Sequence, residues 1–297
     1  MEADRRTSSL WHKFLLFNHK WVTTIALLAA ILLIVLYVRT FCVGSYRIST
    51  AAMENTLHEG DYVLVNKFRP GRMSHNQVLL FFSPLMKDRK EAPILVSRCI
   101  AEPGDTIQVS NAGYRINGTV YPRSPNALSS YAIEAEMRNY FGEVLRKLNI
   151  PLRDMKETSS GGITVSLTSF EEYRIREELT GLMNARFVRE ETGNYQVIVP
   201  RKGEVYRLTG AAITACREAI RAEAEEKVEF RNRKLFLDGR ETTQFRFRQD
   251  YYWVLSDNIN EAVDSRHVGF IPAGNIIGKA WLCWYSKDRE RVFKRIY

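Results

Sequence analysis

The stretch WVTTIALLAAILLIVLYV, from Trp21 to Val38, constrains the chain most, because it is predominantly apolar and runs 18 residues without a formal charge. Crossing the hydrocarbon core of a bilayer as a helix takes ~20 such residues, so the run suffices for one span. Trp21 and Tyr37 sit at its ends like interfacial anchors, and Arg5, Arg6, Lys13 and Lys20 precede it. That bias predicts a cytoplasmic amino terminus (1–20), a membrane helix over 21–38 and an external main domain after about Arg39. A cleaved leader is the competing reading. Its apolar core usually spans only ~7–15 residues and is followed at once by a small-residue cleavage site, and neither condition is met. RTFC around Cys42 lacks the small residue expected before a lipidated cysteine, which speaks against a lipoprotein.

The region beyond the span must hold a core of its own. The chain has 297 residues and is 45% apolar, enough for one large domain or two modest ones. Its 43 basic against 34 acidic side chains give a formal charge of +9, which favours polyanions. There is no helix-turn-helix spacing, zinc-finger spacing or aromatic-glycine RNA motif, so nucleic acid is set aside and membrane lipids remain as the polyanionic partner. Four cysteines, Cys42, Cys99, Cys216 and Cys283, lack CxxC spacing and allow three full pairings without a choice among them. Cys99, inside an apolar run, reads as a buried small residue. With no HExxH pair and no Gly-rich phosphate loop, neither a metal nor a cofactor is expected.

The external region reads mostly as strand. Tyr62–Phe68, Val78–Phe82, Pro93–Ala101, Thr106–Val109 and Tyr251–Leu255 are short, rich in β-formers and bounded by turn residues. Asn117-Gly118 and Asp238-Gly239 predict tight hairpins, since both dipeptides tolerate positive φ. Upstream of them, EPGDTIQV and PRKGEVYRL are loosely alike and hint at an internal duplication. Between the hairpins, Ile133, Met137, Tyr140, Phe141, Val144, Leu145 and Leu148 recur at helical spacing before Pro151. SFEE at Ser169–Glu172 predicts a capping box for a second helix ending near Gly181. An Ala-rich third helix is expected over about Ala211–Lys227, with Ile213, Cys216 and Ile220 on one face. The fold class is therefore a β-dominated α+β protein: an antiparallel β domain over 39–124 and 231–297, behind one transmembrane helix, with an α/β insertion over 125–230.

Three segments together resemble bacterial signal peptidase I, the membrane-anchored Ser-Lys endopeptidase that removes signal peptides from exported proteins. The family pattern Ser-x-Ser-Met-x-Pro-Thr-Leu, followed by Gly-Asp, reads here Thr50, Ala51, Ala52, Met53, Glu54, Asn55, Thr56, Leu57, Gly60, Asp61. Lys-Arg followed by Pro-Gly-Asp reads Ser97, Arg98, Pro103, Gly104, Asp105. Gly-Asp-Asn-x-x-Asn-Ser-x-Asp-Ser-Arg, followed by Gly-Phe-Val-Pro, reads Ser256, Asp257, Asn258, Ile259, Asn260, Glu261, Ala262, Val263, Asp264, Ser265, Arg266, then Gly269, Phe270, Ile271, Pro272. The resemblance spans the anchor, about 40–121 and about 234–285, and implies a signal peptidase I-like fold in the bacterial inner membrane.

By that resemblance, Ala52 holds the nucleophile's place, Ser97 the general base's, and Ala262 that of the serine supporting the base. A Ser-Lys dyad needs a lysine whose burial keeps its amine neutral, so that it can take the hydroxyl proton. Ala52 has no oxygen and Ser97 no amine, so proteolysis by this mechanism is not expected. Four departures at one site favour a natural loss over a single engineered inactivation. Peptide binding is separable: the family's strand-addition groove maps onto Ser49, Thr50, Ala51, Ala52, Met53 and Val96, with Thr50 as the oxyanion-hole position. Arg98, Asp257, Asn258, Asp264, Ser265 and Arg266 are expected to be structural, Asp264 and Arg266 as an ion pair. The implied partners are signal peptides or pre-proteins, and an active signal peptidase or the secretion machinery. Two other readings stand beside this one: an active peptidase with a displaced catalytic pair, and a purely structural membrane-surface module.

Overall fold

The computed structural model describes every residue except 1–20, 69–72, 87, 111–112, 122–123, 180, 191–194, 209, 225–226 and 259–260. The basic residues before the span, and Ile259 and Asn260 of the third segment, therefore lie outside the described residues. The chain divides into two units, Met1–Gly44 and Ser45–Tyr297. In the first, helix α1 covers Trp21–Cys42 with a mean hydropathy of 2.6, and none of its most apolar window is buried by protein. It runs past the expected end at Val38. With neither Gly nor Pro before Gly44 to interrupt it, the ladder continues through Arg39 and closes with a π-turn over Val38–Cys42.

Strand β1 (Val43–Arg47) carries the division between the units, and β2 (Tyr62–Asn66), β3 (Val78–Phe82) and β4 (Ile94–Ala101) come after it. A second group is β5 (Thr106–Ser110), β6 (Gly113–Ile116) and β7 (Thr119–Tyr121), turning at Asn117-Gly118 with φ of 52° and 82°. Next come β8 (Leu128–Ile133), α2 (Arg138–Lys147), β9 (Lys156–Glu157), β10 (Ile163–Thr168), α3 (Ser169–Glu178), α4 (Leu182–Ala185) and β11 (Val188–Arg189). Then β12 (Tyr195–Ile198), β13 (Val205–Arg207) and α5 (Gly210–Glu223) lead to the hairpin strands β14 (Val228–Arg231), β15 (Lys234–Leu237) and β16 (Arg240–Thr242). The chain closes with β17 (Gln244–Arg246), β18 (Tyr251–Leu255), α6 (Ser265–Val268), β19 (Ile271–Pro272), β20 (Ile276–Tyr285) and β21 (Lys294–Arg295).

The main sheet has the order β1-β2-β20-β3-β4-β18-β19, with β21 added to β20. From β2 to β19, and between β20 and β21, its strands pair antiparallel. Strand β3 is apolar at every position because both of its faces are covered. Val78 and Leu80 join Met53, Leu57, Val63 and Val96 in one core, while Leu79 and Phe81 join Cys99, Tyr252 and Val254 in another. A third core brings Ile100 and Ala101 of β4 together with Val197, Ile213, Cys216 and Ile220, and with Trp253 and Leu255 of β18. Residues between Tyr131 and Phe187 close a fourth around Phe141, Val144 and Ile175.

Several local expectations shift. Ile133 ends a strand instead of opening a helix: it pairs with Ile163, and Glu134 is extended. Its side chain still reaches the same core as Met137 and Phe141, so the spacing found the buried face and missed the change of element. The capping box is Thr168 with Glu171, one residue earlier than expected, because Thr168 keeps extended dihedrals while Ser169 is already helical. That helix stops at Glu178, and α5 runs from Gly210 to Glu223 where Ala211–Lys227 was expected. The two loosely similar stretches enter different sheets, β5 beside β6 and β12, and β13 beside β17. Cys99, Cys216 and Cys283 are buried, Cys42 is half-buried, and none is joined to another.

Candidate functional site

The first segment forms a docked turn. Ile48 donates its N–H to Asp61 O at 2.8 Å and accepts from Gly60 N–H at 2.8 Å, and Gly60 turns the chain with a φ of 95°. Thr50 is extended and exposed, and its hydroxyl makes no hydrogen bond among the described residues. Ala51–Met53 then form one 3₁₀ turn that packs on β4. Two backbone donors from the third segment fasten it: Asn258 N–H to Ala52 O at 2.9 Å, and Asp257 N–H to Met53 Sδ at 3.4 Å. Glu54 (φ −46°, ψ 141°) and Asn55 (φ 73°) complete a type II turn closed by Thr56 N–H to Met53 O at 2.9 Å. A proline ring cannot reach a φ of 73°, so the family's Pro does not fit this turn as it stands.

At the centre of the site, the buried Ala52 offers only a methyl group. On β4, Ser97 is 0% exposed; its hydroxyl donates to Val96 O at 2.8 Å and lies 2.8 Å from Ser256 Oγ. With the Ser97 proton committed to a carbonyl, Ser256 is the donor between the two hydroxyls. The pair satisfies itself with neutral partners and holds no titratable group. Ser256 stands where the family pattern has Gly, and its oxygen fills space beside residue 97. Half-buried Ala262 contributes no polar atom.

The scaffold side differs. Arg98 is buried and donates Nε to Asp257 Oδ1 at 2.9 Å and Nη2 to Asp257 Oδ2 at 2.6 Å, a forked pair. Its Nη1 reaches Asn76 O at 2.8 Å and Tyr297 O at 2.6 Å. Thr56 adds its hydroxyl to Asp257, and Asn126 Nδ2 donates to Thr56 Oγ1 at 3.2 Å. Asp264 accepts from Ser256 N–H at 3.0 Å and from Arg266 Nε and Nη2 at 2.9 and 2.8 Å, while capping α6 through Arg266 N–H. Ser265 Oγ accepts from Val254 N–H at 2.9 Å. Asp61 is held by His58 N–H and by Arg291 at 3.1 Å. Burial pushes its carboxyl up, but Ser286, the His58 amide and Arg291 together outweigh that and leave it below the usual carboxylate range.

Two features escaped sequence reasoning. Tyr297 and Asn126 join the network from distant parts of the second unit's sequence through a backbone carbonyl and an amide, and nothing in their sequence neighbourhood marks them. The second is an edge. β18 pairs with β4 at Arg98, Cys99 and Ala101, while β3 pairs with it over Ile94–Arg98. On the β18 side, no described strand pairs with Ile94–Ser97; Ile94 is exposed and Leu95 half-buried there, while Val96 and Ser97 are buried. Among the described residues, no group of three His, Cys, Asp or Glu side chains is placed to hold a metal ion.

Fold and site together define a class: an antiparallel β unit after one apolar helix, with a 3₁₀ turn fastened between an Arg-bearing strand and an Asp-Asn segment. The chain belongs to the family described as signal peptidase, peptidase S26, which matches residues 20–175 and 196–285. It is 26% identical to signal peptidase I of Aquifex aeolicus (strain VF5) over 260 residues, covering 86% of this chain and 81% of that protein. Against signal peptidase I of Buchnera aphidicola subsp. Baizongia pistaciae (strain Bp) it is 24% identical over 277 residues, 89% of this chain and 76% of the relative. Against that of Pseudomonas fluorescens it is 24% identical over 272 residues, with coverages of 88% and 72%.

Proposed function

We propose that this chain is a membrane-anchored signal peptidase I homologue that binds the signal-peptide region of exported pre-proteins without cutting it. One observation carries the reading. At the base position a fully buried hydroxyl donates to Val96 O and pairs with Ser256, and at the nucleophile position Ala52 carries a methyl. Without an attacking oxygen or a neutral amine, only binding and oxyanion donors are left, and turnover falls by about six orders of magnitude. The same geometry argues against Ser97 as a displaced nucleophile, since it is closed to a peptide carbonyl and its proton faces a backbone oxygen that is no base.

Support for binding comes from the β18-side edge at Ile94 and Leu95, unpaired among the described residues, which offers main-chain groups to an extended peptide next to Val96. The exposed, unengaged Thr50 hydroxyl adds a donor near the turn. The basic residues before the apolar helix favour an amino terminus in the cytoplasm and a binding unit on the outer side of the plasma membrane. There the protein would present pre-proteins to an active peptidase or to the secretion machinery.

The test is a pair of assays on purified full-length chain in detergent micelles with a fluorescent model pre-protein. Saturable binding with no product on prolonged incubation is expected. Trimming of the leader at one bond by contaminant-free material overturns the reading, and absence of binding leaves the purely structural module.

A further inference from the structure

We propose that a groove between the edge strands β12 and β13, floored by α5, is a second polypeptide-binding site and takes an extended segment carrying an acidic side chain. Strand β12 ends its sheet and pairs only with β5, and β13 pairs only with β17, among the described residues. Val199 N–H donates to Asp105 O at 2.8 Å and Val199 O accepts from Gly104 N–H at 2.9 Å. Antiparallel alternation then turns the peptide groups of Val197 and Val199 toward β5, and those of Gln196 and Ile198 away from it. Gln196 and Ile198 line a groove of about 390 Å³ on that side.

The lining suits a strand more than a compact ligand. Val197, Leu208, Ala212 and Cys216 make an apolar floor of modest side chains. Burial pushes the Cys216 thiol up to about 12, so the floor is uncharged at neutral pH. Ile198 is 47% exposed beside this edge and Val205, next to the β13 part of the wall, is 49% exposed. A sheet edge with exposed aliphatic residues is ordinarily covered or charged, because it invites another strand. Arg207 is the one charged residue lining the space, and it makes no hydrogen bond or ion pair among the described residues. A guanidinium beside an open edge selects a carboxylate on the incoming chain, with small or aliphatic side chains facing the floor. The groove shares no lining residue with the Ala52 site, so the inference does not depend on whether that site cuts.

The probe is a fluorescein-labelled hexapeptide alternating valine and alanine with a single glutamate, titrated by anisotropy against the full chain in micelles. Saturable binding is expected, weakened at least tenfold in Arg207→Glu and recovered by that variant when the peptide's glutamate is replaced by lysine. A peptide N-methylated at alternate amides should lose binding in one of its two registers only, as pairing to a single edge requires. Ala212→Trp, which fills the floor, should abolish binding by both peptides. Should that variant fail to fold, the exposed Arg207 charge exchange still decides. Equal binding by the unaltered chain and Arg207→Glu, or no binding at all, overturns the proposal.

Discussion

Ser97 and Arg98 are neighbours on β4 whose side chains leave opposite faces of the sheet, and they have fared differently. Arg98 makes a forked pair with Asp257 and reaches two backbone carbonyls, these four contacts lying between 2.6 and 2.9 Å. Ser97 carries only a hydroxyl, which donates to the Val96 carbonyl and pairs with the Ser256 hydroxyl. The contrast repeats at Ser256 beside Asp257, and at Ala262 two residues before Asp264. Around the turn, Arg98 and Asp257 form a forked ion pair, while Ala52, Ser97 and Ala262 bring a methyl, a neutral hydroxyl and a methyl. The two sets are physically separable because removing one partner of a buried ion pair leaves an uncompensated charge that destabilises the whole fold, whereas exchanging a small hydroxyl for a methyl leaves packing nearly unchanged.

The largest effect tests that separation directly. Ala52→Ser with Ser97→Lys and Ser256→Gly should cut a model pre-protein at a rate exceeding the unaltered chain by up to about 10⁶. The same chain without Ser256→Gly should be at least tenfold slower by our reading, since Ser256 Oγ sits 2.8 Å from the oxygen at residue 97. Equal rates in gel-based cleavage assays would show that Ser256 obstructs nothing.

Next in size is the scaffold itself. Arg98→Ala leaves Asp257 buried without its cation and should cost about 3–5 kcal/mol in urea unfolding. A loss near zero would erase the distinction between the two faces of β4. Acidification gives a smaller effect. Because the Asp61 carboxyl titrates below its ordinary value of 3.8, its contribution is fully present above that value and fades as pH falls through the lower, folded one. Stability of the unaltered chain should therefore drop below about pH 4. Asp61→Asn should flatten that drop in a series of thermal melts, and an unchanged slope would remove Asp61 as its source. The smallest effect is a control outside the site: Thr168→Ala should cost about 1 kcal/mol through the lost cap. Ser169→Ala should be close to neutral, and neither change should alter pre-protein binding.

How much was legible splits along the same line. Gly60, Asp61, Arg98, Asp257 and Asp264 were marked by their places in the family pattern; the Gly60 turn and the Asp264 cap and ion pair are local, whereas Arg98 meets Asp257 across 159 positions of the chain. Helical spacing likewise found the buried face containing Ile133 and Met137, although Ile133 belongs to a strand, since apolar periodicity reports burial before it reports backbone conformation. The cap at Thr168 was misplaced by one residue because Thr168 and Ser169 are chemically equivalent caps, and only dihedrals tell them apart.

Residue order alone already shows an apolar helix long enough to span a bilayer, a β-rich fold, and a methyl at Ala52 and a hydroxyl at Ser97 where the family pattern has a serine and a lysine. Those are properties of composition, short-range spacing and residue chemistry. The fold alone settles that Ser97 and Ser256 satisfy each other, that Tyr297 and Asn126 complete the network around Arg98, and that, among the described residues, β12 and the Ile94–Ser97 part of β4 lack a second partner strand. Each of these depends on which distant backbone groups meet, and hydrogen bonds between strands far apart in the chain leave no trace in the order of its residues.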